Sequence, residues 1–156
     1  MLGEPDFLMR ALQRNGFANI GTSRASDDGL TLNDAYILSV VRCAPPDNKP
    51  LPEEIARCRP HLTAELAALP RLQVVVALGK IGFDGYLAHL AESFSRARVR
   101  PRPAFAHGCQ VVLPVGPPVL LGAYHPSRQN TNTGKLTPAM LETVFRRARS
   151  IIDSAP

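Results

Sequence analysis

The stretch "YHPSRQNTNTGKLTP", Tyr124 to Pro138, gathers a histidine, hydroxyls, amides and two basic residues into one short run. It directly follows an apolar run, "PPVLLGA". His125 can exchange a proton near neutral pH. Ser127, Gln129, Asn130 and Thr131 offer donors and acceptors, and Arg128 a fixed positive fork. A second polar loop, "RCAPPDNKP", places Asn48 between Asp47 and Lys49. A third site is the pair Gly79–Lys80 after "VVVAL". Cys43 and Cys58 are separated by fourteen residues, and Cys109 lies far along the chain. Thiolates can hold a soft metal or an iron–sulfur cluster, but a cluster wants four.

Every one of these residues also has an ordinary reading. His125 can simply hydrogen-bond its own loop. Asn48 can be turn chemistry, which favours Asn and Asp. Gly79 can be a tight strand-to-helix turn. The basic run "SRARVRPR" can be a solvated face, or it can contact phosphates. Cys109 reads as a buried or half-buried thiol. By spacing alone, Cys43 and Cys58 read as two unrelated structural cysteines. Taken together at one place, the polar loops describe a site that grips an anionic ligand.

The elements that would bring these loops together alternate along the chain. "EPDFLMRALQRNG" places Phe7, Leu8 and Leu12 on one helical face, with Gly16 as the stop. "DDGLTLNDAYILSVVRC" predicts a strand around Tyr36–Val41. A helix is expected from about Pro52, with Glu53 and Glu54 at its positive end. Pro60 should kink or divide it. "LQVVVALG" reads as a strand buried on both faces, leading at Gly79 into the helix "KIGFDGYLAHLAESF". "QVVLP" and "PVLLGAY" read as two more strands, and Thr137–Pro138 should cap a last helix. Such alternation implies an α/β sandwich around a largely parallel sheet. Ligands of such sheets bind beyond the carboxyl ends of the strands, where the three polar loops should converge.

Composition sets the bounds. A chain of 156 residues is one domain's worth. Its formal charge of +5 and pI of about 9.6 suit an anionic partner such as nucleic acid. No apolar run is long enough to span a bilayer, and an acidic residue stands near the N-terminus where a secretory signal carries basic ones. Three cysteines without such a signal fit a reducing, cytoplasmic compartment better than a disulfide scaffold. A small-molecule phosphate-binding α/β protein is disfavoured, because neither G-x-x-x-x-G-K-[ST] nor G-x-G-x-x-G occurs.

In this order, "YILSVVRCAPPDNKPLPEEIARC", "VVVALGKIGFD" and "AYHPSRQNTNTGKLT" resemble the uracil-DNA glycosylase superfamily, and within it the fifth, type b iron–sulfur family. The similarity runs from about Phe7 to Ile152. It implies a three-layer α/β/α sandwich with a mainly parallel four-stranded sheet. It implies base excision repair: hydrolysis of the N-glycosidic bond of flipped-out uracil in DNA, by a cytoplasmic, nucleoid-associated monomer. His125 matches the active-site histidine beside the uracil O2. Asn48 matches the asparagine that reads the uracil edge, and Asn130 an asparagine of the loop that enters DNA. Ser127, Arg128, Gln129 and Thr131 would line that loop. Gly79 and Lys80 match a turn suited to a phosphate. Cys43 and Cys58 match the last two of four ligands to a 4Fe-4S cluster, and Cys109 matches none.

The departures are specific. Members of the family carry an upstream segment with the first two cluster cysteines, the first sheet strand and a motif ending in "FTGD", whose aspartate orders the attacking water. This chain places Leu2 at that aspartate, and Glu4 can stand in only with a shift of two residues. Ser39 and Lys135 are milder replacements. Two expectations follow: Met1 lies inside a longer reading frame, or the short chain is a DNA-binding remnant without repair activity.

Overall fold

The computed structural model describes residues 7–23, 27–40, 50–94, 100–114 and 117–155. Helix α1, Phe7–Arg14, buries Leu8, Met9, Ala11 and Leu12 along one face and stops before Gly16, as its pattern predicts. Helix α2, Pro52–Ala67, starts with its proline in the first turn, where the missing N–H costs nothing. The Glu54 carboxylate reaches back to accept from the Leu51 amide at 3.0 Å. Pro60 does not divide α2, which continues through it.

Strand β1, Val74–Leu78, leads through Gly79 into helix α3, Lys80–Ser93. Strand β2, Gln110–Val111, strand β3, Val119–Ala123, a short helix α4, Arg128–Asn132, and helix α5, Pro138–Ser154, complete the order. Thr137 caps α5 as expected, its hydroxyl accepting from the Met140 amide at 3.3 Å. Helix α4 was not legible in a run so poor in apolar side chains.

The sheet has the order β1-β3-β2. β1 and β3 are parallel, in register from Val74↔Val119 to Leu78↔Ala123. β2 pairs antiparallel with β3 over two residues. Alternation along the strands divides the core into two layers. Val74, Val76, Leu78, Val119, Leu121 and Ala123 join α1 and α5 on one face. Val75, Ala77 and Leu120 join Phe83, Tyr86, Leu87 and Leu90 of α3 on the other, with α2 packed against α3 and its Leu66 touching the same cluster. The result is the expected α/β/α layering, with three strands among the described residues.

The strand expected around Tyr36–Val41 is not formed over the described residues 36–40. Tyr36 and Ile37 are 58% and 49% exposed. A strand is stable only when its amides meet a neighbouring ladder, and none of the described strands pairs with this segment. Val40 instead packs on α3 at Gly85, where a Cβ would come within 2.9 Å of its methyl group.

Candidate functional site

β1 and β3 end side by side because they are parallel and in register, and their carboxyl ends deliver Gly79 and Tyr124–His125 to the same place. The Gly79 amide donates to the Ala123 carbonyl at 2.7 Å, extending the ladder by one rung. Gly79 has φ +96°, and a Cβ there would lie 3.2 Å from the His125 Cβ. Only glycine gives both this backbone and this approach at little cost. Gly79 is also the cap of α3 and has no side chain to satisfy the helix start. Phe83 is the first residue of α3 whose amide bonds back, to the Gly79 carbonyl at 3.1 Å. Among the described residues, the amides of residues 80–82 have no backbone acceptor within the helix, at the end where Gly79 meets His125.

His125 itself is exposed, yet the protein around its ring withdraws enough water to hold its pKa below the ordinary histidine value. At neutral pH the ring is neutral and presents one N–H donor. Its backbone is pinned from downstream. The His125 carbonyl accepts from the Ser127 amide at 2.8 Å and from the Asn130 side-chain amide at 2.9 Å. Ser127 caps α4, its hydroxyl accepting from the Asn130 amide at 3.2 Å. The Thr131 hydroxyl donates to the Ser127 carbonyl at 3.0 Å. Ser127, Asn130 and Thr131 therefore shape the loop, while Arg128 and Gln129 stand exposed on it.

Lys80 lies at the same edge but pairs with Asp84 one turn along α3. Arg102 adds a second cation to Asp84, at 3.5 Å. An anion at the α3 start would draw Lys80 away from this partner. Asn48 lies outside the described residues, as do Cys43, Leu2 and Glu4.

Two residues at this edge had no distinguishing local signal. The Tyr124 ring is flanked by the His107 ring, centroids 5.0 Å apart, and by the Lys135 ammonium at 4.8 Å. The Tyr124 amide donates to His107 Nδ1 at 3.0 Å. In the sequence His107 is a histidine before a glycine, seventeen residues from its partner.

The cysteines do not supply a cluster by themselves. Cys58 is buried in α2. Cys109 is half-buried beside β3, and a Cβ on Gly122 would meet its sulfur at 2.6 Å. Among the described residues no group of three or more His, Cys, Asp or Glu side chains is placed to hold a metal ion. With three cysteines in 156 residues, this chain cannot complete a four-thiolate set. No helix of the described residues is long and apolar enough to cross a membrane.

Comparison with known proteins bears on this edge. A type-5 uracil-DNA glycosylase of Mycobacterium bovis is 43% identical over 148 residues, covering 94% of this chain and 53% of that protein. A type-5 uracil-DNA glycosylase of Thermus thermophilus is 41% identical over 145 residues, 93% of this chain and 63% of that protein. A type-4 uracil-DNA glycosylase of Thermotoga maritima is 31% identical over 133 residues, 84% of this chain and 63% of that protein. The chain thus spans roughly half to two thirds of the length of these relatives. The family model described as the uracil DNA glycosylase superfamily matches residues 2–149, which takes in all three polar loops and every strand, and the chain belongs to that superfamily.

Proposed function

We propose that this edge of the sheet hydrolyses the N-glycosidic bond of uracil in DNA. The observation that carries the reading is the meeting of His125 with Gly79 beside the open start of α3. A base inside a duplex is out of reach, so the nucleotide must be flipped out. Loop 127–131 fills the gap, with Arg128 and Gln129 toward the DNA and Ser127, Asn130 and Thr131 holding the loop's shape. Gly79 and Lys80 receive a phosphate at the α3 start. Asn48 reads the uracil edge, donating to one atom and accepting from the other, a pattern cytosine does not match.

The glycosidic C–N bond breaks with its electron pair leaving on uracil. The sugar gains positive character, and water adds to it and gives up a proton, which ends on the departing uracil anion by way of solvent. The neutral His125 ring donates to the uracil O2 as negative charge collects there. Donors held in place at such a position are worth about 3 kcal/mol each. No amine nucleophile is required, so the enzyme is monofunctional. It acts as a cytoplasmic monomer on uracil-containing DNA. Because two cysteines cannot hold a 4Fe-4S cluster, no step passes through one. A second reading, a DNA-binding module without catalysis, rests on the exposed basic loop and the net charge of +5 alone.

Uracil release from a single-site oligonucleotide decides between them. Release by this chain is expected to fall about a hundredfold or more in His125→Ala. Binding of folded chain to DNA without release, and with no preference for uracil, would leave only the second reading.

A further inference from the structure

The rung beyond β2 holds a feature that the proposed chemistry does not use. The loop before β2 runs close along β3. The Gly108 amide donates to the Gly122 carbonyl at 2.8 Å, and the Gly122 amide to the Cys109 carbonyl at 3.0 Å. This closeness depends on Gly122, whose missing Cβ would strike the Cys109 sulfur and the Ala106 carbonyl. The next β3 donor on this side is the Tyr124 amide. Its acceptor is not a carbonyl but the ring nitrogen Nδ1 of His107, at 3.0 Å. A side chain thus supplies the last rung of the ladder, one residue before His125.

The geometry points to His107 as a positioning residue for His125, an inference that rests on the glycosylase reading above. The peptide joining Tyr124 to His125 is held from three directions. Gly79 bonds the Ala123 carbonyl before it, Ser127 and Asn130 bond the His125 carbonyl after it, and His107 holds the Tyr124 amide. Rings complete the mount. Phe83, fully buried, meets Phe105 at 5.6 Å, Phe105 meets Tyr124 at 6.3 Å, and Tyr124 meets His107 at 5.0 Å. An Nδ1 that accepts fixes the ring as the Nε2–H tautomer. Remove the acceptor, and a strand-end amide is left without its partner next to the reacting histidine. Small displacements of such a group cost rate, not substrate binding.

The test compares this chain with His107→Leu, which removes the acceptor, and His107→Asn, whose side-chain oxygen can replace Nδ1. In the unaltered chain, imidazole 15N shifts should show His107 Nδ1 without a proton. Hydrogen exchange of the Tyr124 amide should quicken about fivefold or more in His107→Leu. It should return toward the original rate in His107→Asn. The rate of uracil release at saturating DNA should fall about ten- to a hundredfold in His107→Leu with the half-saturating DNA concentration unchanged. His107→Asn should recover most of it. A protonated Nδ1, or Tyr124 exchange equally slow without the acceptor, overturns the inference. So does release by His107→Leu at the full rate. If no variant releases uracil, the glycosylase reading fails on its own, while the 15N and exchange measurements still decide what His107 does. If His107→Leu does not fold, the 15N measurement and His107→Asn decide alone.

Discussion

The contact between Gly79 and His125 makes the residue scale decisive. Gly79 holds φ +96° with His125 Cβ 3.2 Å from where its own Cβ would stand. Gly79→Ala must therefore strain the backbone and push on the histidine together. We expect a stability loss of about 1–3 kcal/mol in urea melts, with a lower rate of uracil release from the molecules that remain folded. An unchanged midpoint would show that this turn relaxes without cost. Residue types alone singled out His125 and Gly79, because a histidine after an apolar strand and a glycine between strand and helix are visible locally. The use of Asn130 was not visible. Resemblance placed it on the loop that enters DNA, while its amide bonds the His125 carbonyl within the chain. His107 was silent for the same reason: its partner is remote in sequence and near only in the fold.

Among elements, the packing of α2 on α3 carries a pH signature. His89 is buried there, with Thr63 Oγ1 2.9 Å from its Nδ1. Burial lowers its pKa below the ordinary value of 6.5. The nearby Glu92 carboxylate opposes that shift and Arg59 adds to it. The pKa of His125 is lowered as well, by the water that neighbouring protein withdraws from its ring. A folded-state pKa below the unfolded one means that the unfolded chain takes the proton first. Stability is then complete above the unfolded value and declines as the pH falls beneath it. Urea midpoints should drop between about pH 7 and about pH 5, and drop less in His89→Gln, with His125 supplying part of the remainder. A variant with the same decline would place its cause elsewhere. Helix ends followed local chemistry: Pro52, Gly16 and Thr137 all mark boundaries where their types require them. The segment 36–40 did not follow its strand-like pattern, since no described ladder meets its amides.

For the whole molecule, a charge of +5 sets the long-range behaviour. DNA binding should weaken steeply with salt, because each neutralised phosphate releases counterions. Arg128 stands exposed on the loop beside His125. In anisotropy titrations from about 50 to about 200 mM salt, Arg128→Ala should lower the slope of log affinity against log salt by about 1. An unaltered slope would remove Arg128 from the phosphate contacts. Net charge cannot say where the anion binds. The place proposed for it rests on parallel strands that end together and on a helix start without a capping side chain.

The amino-acid order by itself determined helices α1, α2, α3 and α5, strands β1, β2 and β3, the boundaries at Pro52 and Thr137, and the polar loops that follow β1 and β3. Each of these depends on neighbours within a turn or a strand, where side-chain type and backbone preference act directly. The long motifs shared with the glycosylases added the superfamily. Tertiary structure decided the antiparallel, two-residue pairing of β2, the helix inside loop 127–132, the pairing of Lys80 with Asp84 and Arg102, and the rung from Tyr124 to His107. The β2 pairing, the Arg102 contact and the Tyr124–His107 rung are matters of distance between parts remote along the chain, while α4 and the Lys80–Asp84 pair are local but have no apolar pattern to announce them. A hydrogen bond is made or lost over a few tenths of an ångström, and only the packed sheet and helices set positions that finely.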